Sequence, residues 1–379
     1  MKKQTSESQI GQRPLRVLIS GGGTGGHIFP ALAIANALRR RDPSVEILFA
    51  GAEGKMEMER VPAAGYKIIG LPVAGFDRRR LWRNAAVLAK LWRSMRKAHR
   101  IVADFRPDIA VGVGGYASGP VLKEAQRRGI PTMLQEQNSS AGVTNKLLAA
   151  KAKAICTAYP GMERFFPAER ITITGNPIRS ELLQCTLTQA EAKKALGFDP
   201  ARALVFVTGG SLGARTVNES VAAALPLLAE HDIQLLWQTG RLYADEFARR
   251  SESYRDVRPL PFISDMATAY RAADLVVARA GAGTISELQL LAKPAILIPS
   301  PNVAEDHQTK NALALSSREA AVLIPDAEAT QRLGKEITEL ISSPARRHLL
   351  ATNISAMACR GSDDLIVDTL LSIITPQEK

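Results

Sequence analysis

The sequence predicts an α/β protein of two Rossmann-like domains, each a parallel sheet with helices on both faces, separated by an interdomain cleft. Three observations predict it. Short apolar runs alternate with helical patterns along the chain, as parallel strands joined by helical crossovers do. Two of those runs, Val17 to Ser20 and Ala203 to Thr208, lead straight into glycine-rich loops and then into helices. With 379 residues, 46% of them hydrophobic and 23% charged, the chain exceeds one ordinary core and has apolar material for two.

The first strand ends in Gly21-Gly22-Gly23-Thr24-Gly25-Gly26-His27, and a helical pattern follows from Pro30 to Leu38. A strand, a glycine loop and a helix in that order present backbone N–H groups and the positive end of a helix dipole to an anion. Glycines in such a loop allow close approach because no Cβ stands in the way. His27 stands where loop becomes helix, so its imidazole is expected to face whatever the loop faces. Alone, this GxGxxG pattern also fits a dinucleotide pyrophosphate, or only tight helix–sheet packing.

Further strands are expected at Val45 to Ala50, Lys67 to Leu71, Pro107 to Val113, Pro131 to Leu134, Ala154 to Thr157 and Ile171 to Thr174. The strand from Pro107 runs into Gly114-Gly115-Tyr116-Ala117-Ser118-Gly119-Pro120. The one from Pro131 carries polar Gln135-Glu136-Gln137-Asn138 at its end. Ligands gather at the carboxyl ends of parallel strands, which is where these residues fall.

After Gly175-Asn176-Pro177 the pattern starts again. The strand Ala203 to Thr208 is followed by Gly209-Gly210-Ser211-Leu212-Gly213-Ala214 and a helix from about Thr216 to Leu228. Strands are then expected at Gln234 to Trp237, Val257 to Phe262, Leu275 to Ala278, Ala295 to Ile298 and Ala321 to Ile324, and a helix from Asp363 to Ile373 is free to cross back to the first half. The expected division is a disordered leader over 1–13, domains over 14–176 and 177–358, and a returning helix within 359–379.

Arg279-Ala280-Gly281-Ala282-Gly283-Thr284-Ile285-Ser286-Glu287 follows a strand and opens a helix, a nest of backbone donors with a dipole behind it. Either Arg279 or the nest would neutralise a diphosphate. Glu287, one turn into the helix, would accept two ribose hydroxyls or merely complement the dipole. Asp306-His307-Gln308-Thr309-Lys310-Asn311 begins another helix with amides suited to sugar hydroxyls, or only to capping.

Cys156, Cys185 and Cys359 are an odd number without metal-type spacing, which argues for a reducing compartment and against a disulfide framework or a zinc site. No stretch approaches the ~20 apolar residues of a membrane span. Met1 to Pro14 lacks the apolar core of a signal peptide, which points to a cytosolic protein. The net charge of +12 concentrates between Phe76 and Arg106, where ten cations from Arg78 onward face only Asp77 and Asp104 and alternate with Trp82, Leu88, Leu91 and Trp92. Such a stretch either lies on an anionic membrane or packs an ordinary apolar stripe on the sheet with its arginines solvated. No nucleic-acid motif accompanies it.

The motifs GGGTGGHIFP (21–30), GVGGYASGP (112–120), QEQNSSAGVTNK (135–146), GNPIR (175–179), GGSLGA (209–214), FISDM (262–266), ARAGAGTISE (278–287) and DHQTKNA (306–312), in this order, resemble the peptidoglycan N-acetylglucosaminyltransferases of the GT-B superfamily. The likeness spans Leu15 to about Ile374. It implies an inverting transfer of GlcNAc from UDP-GlcNAc to the 4-hydroxyl of undecaprenyl-diphosphate-MurNAc-pentapeptide, lipid I, giving lipid II for the cell wall. On that likeness Ile263 meets uracil through its backbone and Glu287 the ribose. Ser211 and the Ala282, Gly283, Thr284, Ile285, Ser286 nest hold the diphosphate with Arg179 nearby, and Gln308 and Asn311 read the donor sugar.

From the other domain, Thr24, Gly25, Gly26 and Asn138 complete the donor pocket, while His27 and the Gly114, Gly115, Tyr116 loop face the acceptor. The likeness also implies that Phe76, Arg79, Arg80, Leu81, Trp82 and Arg83 would dock on the inner leaflet, which would place the protein peripherally on the cytoplasmic face of the bacterial inner membrane, with a cell-wall synthesis complex as a further expected partner and no nucleic acid. No cofactor is required, and the sequence offers no DxD pair for a metal. Gln135 departs from the His usual in the family and cannot take a proton, which moves the general base to His27, whose unperturbed pKa lies near neutrality. The other readings are a nicotinamide-dependent dehydrogenase, a non-hydrolysing UDP-GlcNAc epimerase of the same two-domain plan, and a non-catalytic membrane or nucleic-acid binder.

Overall fold

A computed structural model of the chain describes residues 13–23, 25–73, 84–178, 180–210, 212–303 and 306–374, with backbone alone for 84–88, 180 and 181. Among these, residues up to Ile178 and from Gly361 onward form one unit, and those between form another.

The first unit runs β1 (Arg16–Ser20), α1 (Gly25–Arg41), β2 (Glu46–Ala52), α2 (Glu57–Ala63), β3 (Lys67–Leu71), α3 (Asn84–Phe105), β4 (Ile109–Gly112), α4 (Ser118–Arg127), β5 (Thr132–Glu136), α5 (Val143–Ala149), β6 (Ala154–Thr157) and β7 (Ile171–Ile173). Its parallel sheet has the order β3-β2-β1-β4-β5-β6-β7. In β1, Val17 and Ile19 point into one apolar layer and Leu18 into the other, so both faces are covered and the strand reads as an unbroken apolar run. The strand order reverses between β1 and β4, and the loops leaving those two strands meet there.

Two boundaries differ from expectation in ways that matter. The helix after β1 starts at Gly25 rather than Pro30, which puts Gly25, Gly26 and His27 in its first turn. Strand β5 continues through Gln135 and Glu136 because their pairing with Cys156 and Thr157 keeps the ladder going.

The second unit runs α6 (Gln189–Ala195), β8 (Leu204–Thr208), α7 (Arg215–Glu230), β9 (Gln234–Gln238), α8 (Ala244–Ser251), β10 (Val257–Leu260), α9 (Met266–Ala272), β11 (Leu275–Ala278), α10 (Ala282–Leu290), β12 (Ala295–Leu297), α11 (His307–Ser316), β13 (Val322–Leu323), α12 (Ala329–Ser342) and α13 (Pro344–Ala356). Its sheet, β10-β9-β8-β11-β12-β13, is also parallel and repeats the order of the first. The last helix, α14 (Ser362–Ile374), belongs to the first unit. Its Ile366, Val367 and Leu370 enter the core that Ile34 and Leu38 of α1 also line, and Arg40–Asp363 and Arg41–Asp368 pairs, each 2.5 Å, tie the two helices.

In α3 the face toward the sheet carries Ala98, Ile101 and Val102, whereas Leu91 and Trp92 are exposed, with Arg96 stacked 4.7 Å over Trp92. Leu91 shares the helical face of Ala98 and Val102 yet stands exposed, because burial along the described side chains of α3 begins only at Ser94. Helices α3 and α4 are joined through Glu124, 3% exposed, which accepts from Arg127 Nε at 2.9 Å, Arg128 Nε at 2.6 Å and His99 Nδ1 at 3.0 Å. Chiefly through Arg127, this holds the Glu124 carboxyl well below the usual carboxylate range, at about 2.

A depressed folded-state pKa stabilises the protein above the ordinary glutamate value and is lost as pH falls through the folded one. The contribution is thus full above pH 4.5 and disappears toward pH 2. After screening by water around the exposed arginines it amounts to about 1–2 kcal/mol. Urea unfolding at pH 6 and pH 3 should show Glu124→Gln losing less stability on acidification than the wild type, by somewhat more than half of that amount, since pH 3 still lies above the folded pKa.

Candidate functional site

In the first unit, the ends of β1, β4 and β5 carry the polar and glycine residues side by side. Gly115, at φ +82°, lies so close to Gly22 that a Cβ on it would overlap the Gly22 carbonyl oxygen. His27 is the third residue of α1, and its Nδ1 lies 3.1 Å from Gly22 O. A carbonyl only accepts, so Nδ1 carries the proton and Nε2 is the nitrogen able to take another. The Nε2 edge faces Gly114, where a Cβ would stand 3.1 Å away.

The β5 loop is built around a buried carboxylate. Glu136 Oε1 accepts from Asn138 N at 3.1 Å and Asn138 Nδ2 at 3.3 Å, and Oε2 from Gly142 N at 3.0 Å and Asn145 Nδ2 at 2.9 Å. Burial pushes the Glu136 pKa up, while these donors pull it down. Gln137 Nε2 donates to Val113 O at 2.8 Å, joining this loop to the end of β4. Gln135 is fully buried: its Nε2 donates to Asn176 Oδ1 at 2.9 Å and its Oε1 accepts from Gln137 Nε2. The side chain at this position is thus a packing and hydrogen-bonding element here.

In the second unit Gln238, at the end of β9, joins three segments. Its Nε2 donates to Thr208 Oγ1 at 3.1 Å and Gly210 O at 3.0 Å, and its Oε1 accepts from Ile263 N at 2.9 Å. Gly213 and Gly240, both at positive φ, press backbone against backbone, and a Cβ on either would overlap the other loop. Helix α10 begins at Ala282 after Gly281, with no capping side chain and no acidic residue in its first turn, so its first N–H groups have no intrahelical partner. Glu287, in its second turn, is nearly buried, and Tyr270 of α9 donates to its Oε2 at 2.9 Å. Gln308 Oε1 accepts from Ser300 N at 2.8 Å, and fully buried Asn311 donates to Ala280 O at 3.4 Å, tying α11 to the loop before α10.

The structure brings Gly25, Gly26, His27, Gly114, Gly115, Tyr116 and Asn138 to one edge of the first sheet, and Ile263, Ala282, Gly283, Thr284, Ile285, Ser286, Glu287, Gln308 and Asn311 to one edge of the second. Thr24, Arg179, Ser211, Phe76, Arg79, Arg80, Leu81, Trp82 and Arg83 lie outside the described residues, as does the side chain of Leu88.

Two expectations need correction. Arg279 already has its partners within the protein: its Nη1 donates to Ile298 O and Pro299 O, each 3.1 Å, and pairs with the Asp326 carboxylate. The Gly21–Gly23 loop does not offer all its N–H groups outward, since Gly21 N bonds Ala50 O and Gly23 N bonds Glu57 Oε1. The Ile263 backbone, expected to meet uracil, donates its N–H to Gln238 Oε1 at 2.9 Å.

Glu57, Gln238 and Tyr270 do not figure among the residues expected from the sequence. Only Gln238 carries a local signal, as a polar residue at the carboxyl end of a buried strand.

Residues 17–157 match the N-terminal domain of glycosyltransferase family 28 and residues 204–366 its C-terminal domain. Fold and site edges therefore define a two-domain glycosyltransferase. The chain is 53% identical over 377 residues to the UDP-N-acetylglucosamine–N-acetylmuramyl-(pentapeptide) pyrophosphoryl-undecaprenol N-acetylglucosamine transferase of Bacteroides fragilis, covering 98% of this chain and 99% of that one. It superposes on the crystal structure of Acinetobacter baumannii MurG with a TM-score of 0.75 at 28% identity, over 95% and 100% of the two chains. The chain belongs to the MurG family of N-acetylglucosaminyltransferases. A UDP-GlcNAc 2-epimerase from Neisseria meningitidis, TM-score 0.64 at 13% identity over 94% and 100% of the chains, shares the fold alone.

Replacing Gln238 by Leu leaves the Ile263 N–H and the Gly210 carbonyl without their partner. The expected result is a loss of about 1–3 kcal/mol in the stability of the second unit, read as a lower urea midpoint with an unchanged m-value.

Proposed function

We infer that the chain carries out the reaction of its family, transferring GlcNAc from UDP-GlcNAc to lipid I to form lipid II in peptidoglycan synthesis. The observation that carries this reading is identity of 53% to a family member across 98% of the chain. The second unit is the donor side and the first the acceptor side. On the donor side the ribose meets Glu287, whose carboxylate is already oriented by Tyr270, and the diphosphate meets the first N–H groups of α10. Gln308 presents its amide to the sugar. Arg179 and Ser211 complete the diphosphate site.

In the proposed chemistry the acceptor 4-hydroxyl attacks the anomeric carbon in line and His27 Nε2 takes its proton. The bond from that carbon to the diphosphate oxygen breaks with its electron pair on UDP, and the configuration inverts. The charge that develops on the leaving diphosphate is stabilised by backbone N–H groups and the α10 dipole. The tautomer that Gly22 O imposes on His27 supports its role as base.

No helix among the described residues is long and apolar enough to cross a membrane. The basic, aromatic stretch from Phe76 to Arg83, continued by exposed Trp92 and Arg96 on α3, supports peripheral docking on an anionic bilayer, where the lipid-linked acceptor resides. A cell-wall synthesis complex on that surface is part of the same reading.

Incubation with labelled UDP-GlcNAc and a short-chain lipid I analogue tests the reaction. UDP release coupled to acceptor-dependent sugar transfer is expected, whereas isomerised UDP-sugar without acceptor would assign an epimerase instead. His27→Ala should lower kcat on the order of 10²-fold or more while the UDP-GlcNAc KM changes little. Equal losses in turnover and donor binding would place His27 in the donor pocket. Glu287→Ala should do the reverse, raising the UDP-GlcNAc KM by roughly tenfold or more, the size of a charged hydrogen bond.

A further inference from the structure

The Gly22–Gly23 peptide holds two partners at once. Its N–H donates to Glu57 Oε1 at 2.9 Å, and its C=O accepts from His27 Nδ1 at 3.1 Å. In a trans peptide these groups point in opposite directions from one rigid plane, so whatever holds the N–H also aims the C=O.

Glu57 is fully buried at the start of α2, and the same Oε1 accepts from Ala52 N at 2.9 Å at the end of β2. Two glycines from different elements make the slot. A Cβ on Gly22 would overlap the carboxylate, and one on Gly51 would stand 2.7 Å from Glu57 Cγ. Taking a carboxylate out of water is costly unless it is hydrogen-bonded. Among the described residues its bonds go only to these two backbone N–H groups, and Oε2 makes none.

We propose that Glu57 is a positioning residue that sets the tautomer of His27. This rests on the reading of His27 as the base. Gly22 and Gly23, at φ +143° and +88°, have no Cβ to oppose rotation of the peptide between them. A flipped peptide would offer its N–H to Nδ1, and the ring proton would move to Nε2, where it blocks proton uptake from the acceptor hydroxyl. The flip would also turn the carbonyl oxygen onto the Glu57 carboxylate. Repulsion between two acceptors excludes that state, and removing the carboxylate removes the exclusion.

The test uses the full chain labelled with ¹⁵N in its five histidines, with His27→Gln identifying the His27 signals. Long-range ¹H–¹⁵N spectra above the imidazole pKa should show Nδ1 protonated and Nε2 unprotonated in the wild type. In Glu57→Ala the pattern should reverse or average, with kcat lowered on the order of 10²-fold and the UDP-GlcNAc KM within about threefold of wild type. Glu57→Gln keeps an oxygen for the Gly23 and Ala52 N–H groups and should recover most of the lost turnover.

A wild-type His27 protonated at Nε2 overturns the proposal without any variant having to fold. So does a Glu57→Ala protein whose His27 signals and kcat match the wild type. Undiminished turnover in His27→Ala would instead sink the reading of His27 as base. The Glu57→Ala spectra then decide by themselves whether Glu57 sets the ring, reversal supporting the link and an unchanged pattern ending it.

Discussion

Backbone lying directly on backbone at the strand ends is the constraint on which both units depend. Gly115 against Gly22 in the first, and Gly213 against Gly240 in the second, bring loops from different strands closer than any side chain would permit. The positive φ angles at these glycines would strain any other residue, so the contact and the conformation demand the same amino acid. His27, whose Nδ1 bonds Gly22 O, takes its position from a loop anchored in this way.

Loops packed so tightly still need their polar groups satisfied, and a few buried side chains do this. Glu136 gathers donors from Asn138, Gly142 and Asn145, and Gln238 joins Thr208, Gly210 and Ile263. Inside a low-dielectric interior such networks are strong when complete and expensive when a member is lost, so they make the loops stiff. Stiffness suits sites whose chemistry consists of holding N–H groups and one imidazole in fixed directions.

The strand–loop–helix units are legible in the sequence because strands covered on both faces must be apolar throughout and glycine loops interrupt them. Helix starts are less so. Pro30 looks like a first helical residue, as prolines often are, yet α1 begins five residues earlier and carries Pro30 inside it. Long-range partners are the least legible. Arg279 beside a glycine nest reads as an anion ligand until Asp326, 47 residues away, is seen to neutralise it. Glu57 carries no local signal, because the slot that receives it is formed by Gly22 and Gly51 from other elements. The family resemblance supplies residue roles that spacing alone leaves open, but it is silent on which backbone groups are already engaged.

The return of α14 to the first unit bears on how the chain comes to be folded during synthesis. Ile366, Val367 and Leu370 complete a core whose other walls are made from Val17 onward. The half made first by the ribosome is therefore the half finished last, because it waits for its closing helix while the second unit, contiguous in sequence, already has all its parts. Until then the part of that core that Ile366, Val367 and Leu370 fill stands open.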